Sequence, residues 1–291
     1  MLTGRMCLLA LSPLAVRQPP IRHYMCTSAP EPPVLTPEAA PSWEDLQQLI
    51  QATPTGARLQ REAEQRVHGQ GPPHTAAKLR LFDAEDEGEV RLTFYRDAAA
   101  WCPYCQKVWL MLEEERIPYR VVTLPLNAHG YKPASWTRRV DGGKLPAVEI
   151  DGELHLESLA IMATIDQGLS SADGAAHASP AAQPGAPPRT VPPAGSAAAG
   201  RAEAAGLMRL EAELQRDWFS FVFYPSEGEA LEAARAQLLA TLHRADAALA
   251  VTPGPWLLGG EGPAMVDMHW VPTLERLVAS SLFYRGLRLR G

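Results

Sequence analysis

A small α/β domain followed by an all-helical one is the fold class this sequence predicts. Three observations carry it. Short apolar stretches after Glu89 run in the order β-α-β and then β-β-α. A Cys-Pro-Tyr-Cys step, Cys102 to Cys105, sits between the first of those strands and the helix after it. Beyond residue 204 the period is helical throughout, in three long stretches.

The elements follow in chain order. The first acidic residue is Glu31, preceded by Arg5, Arg17 and Arg22 with Thr3, Ser12, Thr27 and Ser28 between them. An acid-free, Arg-bearing leader over 1–40 reads as an organelle transit peptide, for a chloroplast (plastid) or alternatively a mitochondrion. A secretory signal on Cys7–Leu11 is opposed by the early Pro13 and Arg17, and a disordered tail is the third reading. Ser42 is placed to cap a helix, with Asp45 three residues on and Leu46, Leu49 and Ile50 along one side. Thr53-Pro54-Thr55-Gly56 breaks it, and a second, more polar helix is expected over Ala57–Val67.

Val90, Leu92 and Phe94 alternate as in a strand, and Val108, Trp109 and Leu112 then repeat at helical spacing. Val121, Val122 and Leu124 suggest a second strand. Ala147–Ile150 and Glu153–Leu156 flank Asp151-Gly152, the dipeptide of a type I′ hairpin. Glu157 and Ser158 then open a helix through Leu159, Met162 and Ile165. This is the element order of a thioredoxin fold. Residues 168–200 are nearly all Ala, Gly, Ser and Pro, too poor in apolar surface to offset ordering entropy, and are expected to be disordered. Helices are expected over Leu207–Phe223, Ala230–Leu249 and from Met265 towards Tyr284.

Composition limits the function classes. The 291 residues suffice for two ordinary domains, and 46% hydrophobic with 21% charged residues is a globular balance. A net charge of -6 gives no basic surface for nucleic acid, and no apolar run approaches the roughly 20 residues that span a bilayer. Four cysteines, two of them in the leader, do not make a disulfide scaffold.

The chemistry gathers at Cys102. A sulfur at a helix N-terminus faces unpaired N–H groups and the positive end of the helix dipole, which favour the thiolate. Pro103 suits the first turn, and Cys105, one turn on, can resolve a mixed disulfide. A structural zinc site needs four ligands and finds no second cysteine pair or His-x₃₋₅-His, so no metal is expected. Two inert core cysteines are the remaining alternative. Pro146 stands at the start of a strand, where a cis-proline facing the active cysteine would expose the backbone of Leu145; an ordinary trans turn proline is the alternative. Glu157 and Ser158 at a helix start could take the amino and carboxylate groups of a ligand, or serve only as a helix cap.

With these residues in place the pattern resembles the cysteine-type glutathione transferases, the iota class of photosynthetic organisms most and the omega class more distantly. The Cys102-Pro103-Tyr104-Cys105 motif is also the glutaredoxin form. Trp43-Glu44, Thr53-Pro54-Thr55-Gly56, Gly71-Pro72-Pro73-His74, Tyr95-Arg96-Asp97, Met265-Val266-Asp267 and Pro272-Thr273-Leu274-Glu275-Arg276 fit the iota pattern. The resemblance implies a thioredoxin-like glutathione-binding domain (89–167), preceded by a helical extension (41–88). After it come a low-complexity linker or insert (168–203) and an all-α glutathione transferase C-terminal domain (204–291). It implies a mixed disulfide between Cys102 and glutathione, the cosubstrate, with contacts from the Leu145 backbone beside Pro146 and from Glu157 and Ser158. Lys132 resembles a lysine placed near the glycine carboxylate of glutathione, or is a solvated loop lysine.

The implied activity is glutathione-dependent thiol transfer and deglutathionylation on a glutathionylated or small-molecule substrate, with dehydroascorbate reduction within its range. The alternative is a non-catalytic glutathione binder or redox sensor. A homodimer stays open, and neither nucleic acid nor membrane is an expected partner. Two departures stand out: Ala264 occupies a capping position that is Ser or Thr in the family, and the chain stops at Gly291 where the family continues through further helices. The C-terminal domain is therefore expected to be incomplete.

Overall fold

Ser42 begins the ordered helices as the capping pattern requires. In the computed structural model, which describes residues 40–127, 129–168, 197–224, 226–252, 254–260 and 262–289, Ser42 Oγ accepts the Asp45 N–H at 3.1 Å and Asp45 Oδ2 accepts the Ser42 N–H at 3.2 Å. Expectations for residues 1–39 and for 169–196 of the insert lie outside these residues. The described chain divides into two units, one ending at Gln65 and one running from Arg66. The first holds α1 (Trp43–Gln51) and most of α2 (Pro54–Val67). α2 starts three residues earlier than expected: Thr53 Oγ1 accepts the Gly56 N–H at 3.0 Å, so the Thr-Pro step that ends α1 also caps α2. A Cβ at Gly56 would stand 1.8 Å from the Ile50 carbonyl oxygen, so only glycine permits this approach of the two helices.

The second unit contains β1 (Leu79–Arg80), β2 (Leu92–Asp97), α3 (Pro103–Glu114), β3 (Tyr119–Leu124), α4 (Ala134–Arg139), β4 (Ala147–Ile150), β5 (Glu153–Leu156) and α5 (Ser158–Gly168). The helices α6 (Ala197–Phe223), α7 (Gly228–Leu249) and α8 (Met265–Arg285) follow. The five strands form one mixed sheet in the order β1-β3-β2-β4-β5, with β2 parallel to β3 and the other pairs antiparallel. Alternation sorts the strand residues by face. Leu92, Phe94, Val121 and Val148 pack with Val108 and Leu112 of α3 and Ile161 and Met162 of α5, while Tyr95, Leu124 and Ala147 pack with Trp136 of α4.

The sheet reaches further back than the boundary at 89. β1, from the segment assigned to the helical extension, is too short to show a period; it is held because Arg80 is buried in a two-pronged ion pair with Glu113, at 2.8 and 2.9 Å. A second correction concerns the end of the insert. α6 begins at Ala197, inside the stretch expected to be disordered, because Ala-rich sequence has the highest helix propensity.

The helical part buries its own core. Leu214, Trp218 and Phe221 of α6 meet Leu238 and Leu242 of α7 and Val266, Trp270 and Leu277 of α8. α8 also crosses to the sheet side, where Met268 joins the cluster containing Cys102 and Cys105. Ala264 gives α8 no side-chain cap, yet Asp267 accepts the N–H groups of Leu257 and Ala264 at 2.8 Å each, tying the preceding loop to the helix start.

Candidate active site

Sheet topology gathers the expected residues at one end. β2 finishes at Asp97, beside the end of β3 at Leu124, while antiparallel β4 starts at Ala147 opposite Tyr95 and β5 ends at Leu156 opposite Ala147. Cys102, the Leu145–Pro146 step and the Glu157–Ser158 junction therefore share that end of the sheet. Lys132 follows β3 on the same side.

Cys102 is the N-cap of α3, extended at φ -65° and ψ 118°, with Pro103 in the first turn. Both cysteines are buried, Cys102 at 8% exposed and Cys105 at 2%, so the second is the more enclosed of the two. The Cys102 thiol is pulled down to about 7, chiefly by the Cys105 S–H bonded to its sulfur, with the N–H groups of Cys105 and Tyr104 adding to this against the opposing effect of burial. Burial, and the neighbouring Cys102 sulfur, push the Cys105 thiol well up. One sulfur is thus prepared as a thiolate and the other holds its proton.

The approach to Cys102 is fixed by side chains whose roles the sequence did not reveal. Asp97, fully buried, accepts the Trp101 N–H on Oδ2 at 2.6 Å. Arg276 of α8 donates to the Trp101 carbonyl from Nε at 2.8 Å and from Nη2 at 2.6 Å, and from Nη1 to Gln106 Oε1 at 2.6 Å. The backbone just before Cys102 is therefore held from both sides. Tyr104 donates to Gln215 of α6 at 3.4 Å, and the Lys107 ammonium lies 5.4 Å from the Tyr104 ring centre. Buried Lys107 donates to Glu211 at 3.3 Å, whose carboxylate also meets His269 Nε2 at 2.8 Å and the Thr273 hydroxyl. The one available sequence signal was charge at buried positions of apolar helices, which periodicity cannot tell from a solvated face.

Leu145–Pro146 is a cis peptide bond, as the strand-start position suggested. Glu157 has φ 65°, turning the chain sharply from β5 into α5, and Ser158, the first residue of α5, is buried. Glu157 pairs with Lys144 at 3.3 Å, both largely exposed, an arrangement of little intrinsic strength. Lys132 donates to Asn127 Oδ1 at 2.9 Å, and its stem lies so close to Gly143 that a Cβ there would stand 2.9 Å from Lys132 Cδ. A cavity of about 480 Å³ between α3 and α8 is lined by Trp101, Gln106, Trp109, Leu110, Arg276 and Ala279; Cys102 is not among its lining residues.

Residues 101–167 match the family described as glutathione S-transferase, N-terminal domain. That segment runs from Trp101 through α5 and contains the expected site residues. Solved structures of similar fold include TDR1 of Leishmania, a trimeric glutathione transferase (23% identity, TM-score 0.54, over 68% of this chain and 39% of that one). Rice GST1, solved with glutathione, is similar at 23% identity and TM-score 0.52, over 68% of this chain and 79% of that one. The glutathione transferase Omega 3C of Trametes versicolor is similar at 19% identity and TM-score 0.53, over 78% of this chain and 83% of that one. The chain thus spans well under half of the Leishmania protein. No curated protein matches it. The fold is a glutathione-transferase-like thioredoxin domain with a mixed sheet, followed by a helical region.

Proposed function

We propose that the chain is a glutathione-dependent thiol transferase of the cysteine type, acting as a deglutathionylase, with dehydroascorbate reduction as a second activity of the same sulfur. The observation that carries the reading is Cys102, held at about 7 at the start of α3 beside the Leu145–Pro146 step and the Glu157–Ser158 junction. The Cys102 thiolate attacks the glutathione sulfur of a mixed disulfide, forming a Cys102–glutathione disulfide as the substrate leaves as a thiolate and takes a proton from solvent. The thiolate of a second glutathione then attacks that sulfur, releasing oxidised glutathione and restoring Cys102.

Glutathione fits the groups at this end of the sheet. In this reading the Leu145 backbone would meet its cysteine, Glu157 would take its ammonium, Ser158 and the start of α5 the adjacent carboxylate, and Lys132 the glycine carboxylate. Cys105, buried and holding its proton, favours the route through two glutathiones over an internal disulfide. The acid-free leader supports delivery to a plastid. A Cys102→Ser protein assayed on a glutathionylated peptide is expected to lose all measurable turnover. Retained turnover would overturn the reading, and glutathione binding by the unaltered protein without turnover would make it a binder instead.

A further inference from the structure

The geometry points to a site for a thiophilic divalent cation of the zinc type, built from Asp97, Cys102 and Cys105 of the reduced protein. The two sulfurs and a carboxylate oxygen of Asp97 all lie within 4.8 Å of one another, and all three residues are buried. The sequence offered only two ligands, which argued against zinc; the fold supplies the third by bringing the end of β2 under the start of α3.

Asp97 provides an independent indication. Its Oδ2 accepts the Trp101 N–H, but its Oδ1 is buried without a hydrogen-bond partner among the described residues. A carboxylate oxygen in that state carries a desolvation cost that a cation would remove. The two nearby guanidinium groups attract the carboxylate but do not hydrogen-bond this oxygen. Arg96 directs Nη1 to the Asp97 carbonyl at 2.7 Å and Nη2 to the Thr75 carbonyl, and Arg276 is engaged with Trp101, Gln106 and the Pro272 carbonyl.

Two thiolates with one carboxylate select a borderline-soft ion over calcium or magnesium, which take oxygen ligands. Three protein donors leave a fourth position for water or an incoming thiol. Binding sends whatever protons the two thiols carry to solvent and moves no electrons. The bound ion occupies the nucleophilic sulfur, so it silences Cys102 reversibly while keeping both sulfurs reduced. The site does not depend on glutathione being the cosubstrate.

The test uses the full chain, reduced with a phosphine, freed of metal and titrated anaerobically with Co²⁺. The expected result is a thiolate-to-cobalt charge-transfer band that saturates at one ion per chain, is displaced by Zn²⁺, and is absent after oxidation to the Cys102–Cys105 disulfide. Zn²⁺ is expected to slow alkylation of Cys102. Asp97→Asn, whose amide oxygen can still accept the Trp101 N–H, should weaken Zn²⁺ binding by at least the roughly tenfold that even outer-shell changes cause. X-ray absorption of the zinc-loaded unaltered protein, which needs no variant to fold, should show two sulfurs at about 2.3 Å with the remaining ligands oxygen. No stoichiometric band, a four-sulfur shell, or a folded Asp97→Asn protein of unchanged affinity would each overturn the site. Deglutathionylation is read separately, so either reading can fail while the other stands.

Discussion

Cys102 and Cys105 differ by one turn of helix and by opposite shifts in acidity, and the difference can be measured directly. The alkylation rate of Cys102 should rise with pH through a midpoint of about 7 and level off above it, since only the thiolate reacts. An ordinary thiol would place that midpoint near 8.5. In Cys105→Ala the midpoint should move up, because the S–H bond that contributes most to the lowering is gone, while the backbone N–H groups remain. Iodoacetamide kinetics followed by mass spectrometry of the labelled peptide would check both. These two sulfurs were legible in the sequence because a helix N-terminus and one turn of spacing are local facts. The role of Arg276 was not, although the residue falls in a recognisable stretch: it reaches the Trp101 carbonyl across 175 residues of sequence, and no local pattern encodes such a partner.

At the scale of elements, the start of α8 is half of a capping box. Asp267 holds the N–H groups of Leu257 and Ala264, and the Ala264 carbonyl accepts the Asp267 N–H at 3.0 Å, but the Ala264 side chain offers the first turn no acceptor. Ala264→Ser should add about 1 kcal/mol of stability by restoring the missing acceptor. Asp267→Ala should remove about 3 kcal/mol, because two buried N–H groups lose a charged acceptor. Chemical denaturation at equilibrium would measure both. The hairpin shows why some elements could be read so closely: Asp151 and Gly152 take φ 52° and 88°, the left-handed pair that the dipeptide favours, and the strand bounds follow from the turn. β1 could not be read, because two residues carry no period and their stability comes from Arg80 reaching Glu113. The start of α6 is hidden in the sequence because the same alanines that make the run low in complexity are strong helix formers.

Across the second unit as a whole, the sheet and the helices are joined by a buried charge network. Lys107 comes from α3, Glu211 from α6, and His269 and Thr273 from α8, with Lys107 and Glu211 each about 2% exposed at the side chain. The two charges are unequally provided for. Burial lowers Lys107, which has one carboxylate partner, whereas Glu211 is held below its ordinary range because His269, Lys107 and Thr273 together outweigh its burial. The carboxylate is therefore the member that depends on its neighbours. Lys107→Met should leave it buried and undercompensated, costing about 3–5 kcal/mol. Adding Glu211→Leu to that variant removes the stranded charge and should recover most of the loss, since apolar replacement of a buried pair is often neutral. Urea midpoints for the two single variants and the double would give the coupling. If Lys107→Met alone were neutral, the network would not be what binds α3 to α6 and α8. Their union would then rest on apolar contacts such as Met268 against the Cys105 cluster.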